Sequence, residues 1–307
     1  MNMNLKKVLL LLLLVISPVS WAETVRLVVP FTAGGIVDRS ARALEKTLSA
    51  RLPLNFIIEY QLGAGGVIAS NLVAKNTSKE TVLLLHSSSI VTNSTDPNSA
   101  YDLFKDFVPV ALVGSVPMVL VTNRQSNIAN LKQLKHTELP LFYGTSGQGS
   151  ASHVAGERLQ QNINKNLTPV PYKGESAAFN DILSNNVTMM FVSSSVLAGY
   201  ANSTQISMIA ITGIHRNTDL PTIPTFVEQG VRGFEYSPNW LVLMANRSAD
   251  STVVSKIKSA IEESFKDPQD QPLYFRAGIE INRKPTTNVQ EFLTEEIKKV
   301  KPLKSKL

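Results

Sequence analysis

The sequence predicts an α/β protein of two domains. Strand-like and helix-like patterns alternate along it, its 307 residues suit two cores of ordinary size, and glycine-rich turns stand where strands give way to helices. Short β-branched runs separated by longer amphipathic stretches are the pattern of largely parallel sheets covered by helices.

Thr24 to Pro30 (TVRLVVP) reads as a buried strand, and Asp38 to Leu52 then sets Ala41, Leu44, Leu48 and Leu52 on one helical face. Asn55 to Glu59, Val67 to Ala74 and Thr81 to Leu85 continue as strand, helix and strand, so the opening third is β-α-β-α-β. Ala111 to Val113 and Met118 to Thr122 read as further strands, after which a second unit begins. In it, a helix near Leu131 to Leu134 leads to the strand Leu139 to Tyr143 and the helix Ser152 to Gln161. Thr168 to Pro171, Val187 to Val192 and Ser207 to Thr212 continue the strands, with the helix Ala177 to Leu183 among them. After Trp240 come a strand, Leu241 to Ala245, and a helix, Thr252 to Phe265. No internal repeat or low-complexity stretch is visible in the sequence beyond the N-terminus.

At the N-terminus Lys6 and Lys7 precede an apolar run from Val8 to Ile16, then Ser17, Pro18 and Ser20-Trp21-Ala22. That order of basic, apolar and small residues reads as a secretory signal peptide over residues 1–22, cleaved near Ala22 and directing export to the periplasm. The alternative is an uncleaved membrane anchor, although the run falls well short of the roughly 20 apolar residues that cross a bilayer. The chain has no cysteine, which rules out disulfides, a lipidated N-terminal cysteine, a thiolate nucleophile and zinc–cysteine sites. Its formal charge of +6 falls to +4 without Lys6 and Lys7, and the basic residues are dispersed, so nucleic acid is not an expected partner. The densest group, Lys298, Lys299, Lys301, Lys304 and Lys306, reads as a solvated helix end and tail.

Three glycine-rich turns could carry chemistry. Pro30-Phe31-Thr32-Ala33-Gly34-Gly35 lies between a strand and a helix that opens with Asp38, where backbone N–H groups and the positive end of the helix can meet an anion. The competing reading is a tight turn with Asp38 as a cap. Gly63-Ala64-Gly65-Gly66 is explained as well by chain reversal. Tyr143 to Ser150 (YGTSGQGS) opens the helix of His153 and Glu157, either as a second carboxylate cradle or as a serine-rich cap. Ser87-Ser88-Ser89 and Ser193-Ser194-Ser195 follow strands, at the carboxyl ends where open α/β sheets bind ligands. Catalytic patterns fail on spacing: no nucleophile elbow, no P-loop and no paired histidines occur. His86 and His153, beside the turns, could serve either a ligand or packing, and no metal or cofactor is expected.

Several segments together resemble one family. They are Pro30 to Gly35 with Asp38, Gly63 to Ile68, Asp106 to Val110, Tyr143 to Gly149 with His153, Pro171 to Gly174 with Ala177, Asp181 and Leu183, and Leu220 to Thr225 with Glu228 and Gly230. In that order and spacing the chain resembles the substrate-binding subunits of tripartite tricarboxylate transporters, the Bug family. The resemblance implies a two-lobe periplasmic-binding-protein fold, the Venus flytrap, type II-like, with two hinge crossovers. Lobe 1 would comprise residues 23–122 plus 239–307, and lobe 2 residues 123–238. It further implies a non-enzymatic, monomeric receptor that holds a small organic acid between the lobes and delivers it to membrane permease subunits.

Carried onto this chain, the family's site points to Phe31, Thr32, Gly34 and Gly35 on one side and Thr145, Ser146, Gly147, Gly149 and Ser150 on the other, acting mainly through backbone groups and bridging water. With the strand-end serines Ser87, Ser88, Ser193 and Ser194, and with His153, these are the expected ligand-binding residues. Tyr172 and Lys173 belong to the family's PYKG loop, as structural turn or ligand contact. Lys79-Glu80-Thr81, Asn186-Val187-Thr188 and Asn246 to Asp250 depart from the family pattern, all outside the two cradles. A sensor engaging a membrane kinase, or an exported α/β enzyme, is the competing function.

Overall fold

The computed structural model describes residues 23–200, 202–281 and 288–301. The signal-peptide expectation, on residues 1–22, lies outside them, as do Lys304 and Lys306.

Two five-stranded sheets form the frame. In the first, β1 (Glu23–Val29) pairs in parallel with β2 (Leu54–Tyr60) and β3 (Val82–Ser87). A late strand, Trp240–Asn246, inserts antiparallel between β3 and β4 (Phe107–Ser115), and we number it β10. In the second, β6 (Leu141–Thr145) pairs in parallel with β7 (Leu167–Pro171) and β8 (Met189–Ser193), and β5 (Met118–Asn123) inserts antiparallel between β8 and β9 (Ile206–Ile211). The orders β2-β1-β3-β10-β4 and β7-β6-β8-β5-β9 are the same arrangement. In each sheet the one antiparallel strand is an inner one: β5 opens the run of chain that builds the second sheet, whereas β10 returns to the first sheet after that run is complete. This repeat of topology leaves no repeat in the sequence.

Strand alternation supplies two cores per sheet, because successive side chains point to opposite faces. In the first sheet Val25, Leu27, Val29, Leu83, Leu85, Leu241 and Leu243 meet Leu44 and Leu48 of α1 (Ile36–Ser49) and Ile257 and Ile261 of α8 (Ser251–Lys266). Val28, Leu84, Val242 and Met244 point the other way, toward Val73 of α2 (Val67–Ala74), Ile90 of α3 (Ser89–Ser94) and Leu293 of α10 (Val289–Val300). The second sheet divides likewise. Leu120, Met189 and Phe191 face Leu134 of α4 (Leu131–His136), Leu159 of α5 (Ala151–Ile163) and the stacked rings of Phe226 and Phe234, whose centroids are 4.2 Å apart. Val121, Met190 and Val192 face Phe179 and Ile182 of α6 (Glu175–Leu183).

The sequence reading set β5 at the end of the first unit. It is instead an inner strand of the second sheet, so the chain passes between sheets ahead of it, at Val116-Pro117. Hydropathy marks β5 as buried but cannot name its pairing partners. The return passes through Ser237 to Asn239, where the two crossings touch: Val116 N–H donates to Asn239 O at 2.8 Å, and the Ser237 hydroxyl donates to Val116 O. A third segment joins them, Ser115 and Glu280 exchanging backbone hydrogen bonds of 3.0 and 2.8 Å.

Candidate ligand-binding site

The loops that leave β1, β3, β6, β7 and β8 at their carboxyl ends gather where the two sheets meet. Close contacts cross the seam. A Cβ placed on Gly149 would lie 2.9 Å from Thr92 Cγ2 of α3. One on Gly65 would lie 3.8 Å from Gln148 O, and Nη2 of Arg39 donates to Ser195 Oγ at 3.1 Å. Gly34 and Gly35 on one side and the loop 145–150 on the other therefore border one shared seam.

In the first turn Thr32 and Gly34 are exposed, and Phe31 and Gly35 half-buried. Gly35 is the N-cap of α1 and brings no side-chain acceptor to the helix. The N–H groups of the first helical turn therefore lack the partner that a serine or aspartate cap supplies, and the dipole adds partial positive charge there. Asp38 is not the N-cap but the third helical residue, reaching back so that Oδ2 accepts Gly34 N–H at 2.7 Å. Its Oδ1 accepts from Tyr60 Oη at 2.5 Å and Arg42 Nε at 3.1 Å. Burial works to raise the Asp38 pKa, but the bonds from Tyr60, Gly34 and Arg42 outweigh it and hold the carboxylate below its ordinary range.

Behind this turn lies His86, fully buried, its ring 5.5 Å from that of Phe31 in an edge-to-face contact. Nδ1 lies 2.9 Å from Ser87 O, so it carries the proton, and Nε2 faces the Gly66 backbone without a well-formed hydrogen bond. Burial drives its pKa down to about 4, so the ring is neutral. Ser87 closes β3 and bonds Ser89 through the hydroxyls at 2.9 Å, and Ser88 is the N-cap of α3 without a side-chain cap bond.

Gly34 and Gly35 spend their N–H groups within the first turn, Gly35 on Thr32 O at 3.4 Å, and the loop from β6 to α5 is likewise self-bonded but carries a side-chain cap. Ser150 caps α5 by accepting from His153 N–H at 3.4 Å. Ser146 N–H donates to Ser152 Oγ at 2.9 Å, Gly147 N–H to Thr145 Oγ1 at 3.3 Å, and Gly149 N–H to His153 Nδ1 at 3.0 Å. The serine-rich cap therefore describes this loop well, and most amides read from the sequence as donors are engaged within it. The hydroxyls of Ser146 and Ser150, both half-buried, stand at the seam. His153 is 5% exposed and burial lowers its pKa, so it is a neutral ring buttressing the loop. Tyr172 N–H donates to Thr145 O at 3.0 Å and Tyr172 Oη to Asp181 Oδ2 at 2.6 Å, tying the PYKG loop alongside.

Ser193 and Ser194 are buried, and their amides are also spent: Ser193 N–H donates to Glu175 Oε1 at 2.6 Å and Ser194 N–H to Pro117 O at 2.8 Å. Sequence reasoning missed Arg39, Glu175 and Thr92, since one arginine inside a helix or one glutamate after PYKG forms no pattern. A groove elsewhere, lined by Asp96, Asp102, Asp106, Ile297 and Lys301, contains none of the expected residues, and its three carboxylates oppose an anion. Among the described residues no group of three or more His, Asp or Glu could hold a metal ion, and no helix is long and apolar enough to cross a membrane.

Two sheets of matched topology, each flanked by helices, with strand-end loops opposed across one seam, define the two-lobe fold of periplasmic solute-binding proteins. The model of the tripartite tricarboxylate transporter family receptor, TctC, matches residues 40–307, and the chain belongs to that family. Protein BugT of Bordetella pertussis (strain Tohama I) is 31% identical over 252 residues, 80% of this chain and 77% of the relative. The UPF0065 protein in the tcbD-tcbE intergenic region of Pseudomonas sp. (strain P51) is 30% identical over 268 residues, 85% of this chain and 78% of the relative. The solved structure of periplasmic binding protein BugD superimposes with a TM-score of 0.81 at 28% identity, covering 92% of this chain and 97% of that one. R. palustris Rpa4515 with adipate superimposes at 0.83 and 26%, covering 94% and 97%. Family and fold are those of solute-binding proteins rather than enzymes.

Proposed function

We propose that this protein is an exported, monomeric receptor that closes its lobes on a small organic acid in the periplasm and delivers it to the membrane permease subunits of a tripartite tricarboxylate-type transporter. The uncapped N-terminus of α1 carries this assignment: Gly34 and Gly35 leave it approachable, and a carboxylate there replaces the missing cap. The carboxylate chemistry is in keeping with the relative that holds adipate. We take the hinge as 116–117 and 237–239, with the lobes on either side.

On the second lobe the hydroxyls of Ser146 and Ser150 supply donors, with water bridging to Thr145, Gly147 and Gly149, whose polar groups are already partnered. Ser87, Ser88, Ser193 and Ser194 border the ends of the cleft. Hydrogen bonds to a charged group contribute about 1.5–3 kcal/mol each and micromolar affinity requires about 8 kcal/mol, so a few contacts from each lobe suffice. The basic Nε2 of His86 is buried against the Gly66 backbone, and the basic Nδ1 of His153 is occupied by Gly149 N–H, which leaves neither ring poised to activate a neighbouring hydroxyl.

Calorimetry against di- and tricarboxylates, aromatic acids and acidic amino acids tests the assignment, preceded by mass spectrometry of the purified protein for a carried-over acid. Gly34→Asp is the matched variant. A Cβ at Gly34 meets nothing within 4 Å, so the change costs chiefly the positive φ of 82° while placing negative charge at the helix end. Affinity should fall at least tenfold, and unaltered binding would remove this turn from the site.

A further inference from the structure

We propose that Arg39 is a positioning residue that couples closure of the lobes to the shape of the first glycine turn. It rests on the receptor function proposed above and extends it to a residue that no motif marks. Arg39 lies in the first turns of α1, and its guanidinium serves three backbone or hydroxyl acceptors on three segments. Nη1 donates to Gly34 O at 2.8 Å, within the turn itself, and Nε to Ala277 O at 3.4 Å, at the end of α9 (Gln271–Arg276). Nη2 donates to Ser195 Oγ at 3.1 Å, just beyond β8 on the second lobe.

Only a planar fork with several fixed donors can hold these acceptors together, and a lysine ammonium cannot reproduce it. The surroundings are built for the contact. Gly278 follows Ala277, and any Cβ there would lie 2.6 Å from Ser195 Cβ, so a glycine lets the first-lobe backbone approach Ser195. On the second lobe Glu175 Oε1 accepts from Ser193 N–H at 2.6 Å, and burial pushes its pKa up against the opposing influence of that bond and of Arg39 across the seam.

When the lobes part, the bond to Ser195 breaks, while the bond to Gly34 O stays within one lobe. Arg39 thus senses the second lobe with one nitrogen and holds the ligand-facing turn with another. A contact made only in the closed form shifts the open–closed balance by its full free energy.

The absence of cysteine allows two introduced thiols, Lys46→Cys on α1 and Gln161→Cys on α5, to carry spin labels uniquely. Interlobe distance distributions are measured by pulsed electron resonance on protein unfolded and refolded to strip bound solute, then with the acid found by calorimetry. Arg39→Ala and Ser195→Ala should each shift the label distances toward longer values without added acid. Each should also speed acid dissociation about tenfold with association nearly unchanged. The double variant should match Arg39→Ala alone, and Arg39→Lys should recover the effect only in part.

Unchanged distances in Arg39→Ala, or fully additive effects of the two alanines, would overturn the proposal. Weakened affinity at unchanged distances would make Arg39 a ligand contact and overturn it equally. If no organic acid binds, the receptor function fails while the solute-free distances still decide the role of Arg39.

Discussion

The backbone N–H of Gly149 donates to Nδ1 of His153 at 3.0 Å, which leaves the imidazole proton on Nε2 and fixes the loop before α5 from behind. Gly149 has a φ of 69°, and His153 is neutral because burial disfavours its charged form. A family motif and a helix cap thereby become one unit: Ser150 accepts from His153 N–H while the ring of His153 accepts from Gly149.

Replacing that ring tests its task. His153→Leu strands the buried Gly149 N–H, an expected loss of about 1–3 kcal/mol measured by urea unfolding. His153→Gln, which retains an acceptor, should recover part of it. Equal losses in both would show that packing against Tyr143, whose ring lies 6.2 Å away, outweighs the hydrogen bond.

His86 makes stability depend on pH in a defined window. Its pKa is about 4 when folded, against 6.5 as an ordinary imidazole. As pH falls below 6.5 the unfolded chain takes up the proton first, so stability declines from there to about 4 and is level above. The difference corresponds to about 3 kcal/mol for this residue, and His153 adds a contribution of the same sign. Urea midpoints between about pH 7.5 and pH 4.5 should fall accordingly, and His86→Gln should flatten the slope. A slope unchanged in that variant would assign the acid sensitivity to other groups.

Gly66 is required where it stands. Its φ is 94°, and a Cβ would lie 2.1 Å from His86 Nε2. Gly66→Ala should cost about 3 kcal/mol from strain and overpacking combined. Gly174 also has a positive φ, 123°, but open space around it, so Gly174→Ala should cost the backbone strain alone, about 1–2 kcal/mol. Thermal unfolding of the two variants side by side checks the difference, and similar melting temperatures would exclude the clash with His86.

Much of the frame was legible in the residues. Val25, Leu27 and Val29 alternate with Val28, so β1 is readable as a strand buried on both faces, and Leu44 and Leu48 mark the inward stripe of α1. The glycine turns were legible as strand-to-helix junctions because glycine alone adopts φ values such as the 82° of Gly34 without penalty. The state of their amides was not. Nothing in YGTSGQGS says that Ser152 returns to Ser146, or that His153 and not a ligand takes the Gly149 proton.

Alternation, helical spacing and turn chemistry, all local properties of the chain, determined the α/β class, the elements and the positions of the candidate loops. Tertiary structure alone decided that β5 joins the second sheet and β10 returns to the first, that Arg39 meets Ser195 across 156 positions of sequence, and that α1 is left uncapped while α5 is not. The reason is physical: hydropathy reports how deeply a residue is buried, whereas pairing and hydrogen bonding depend on which distant segments arrive beside it.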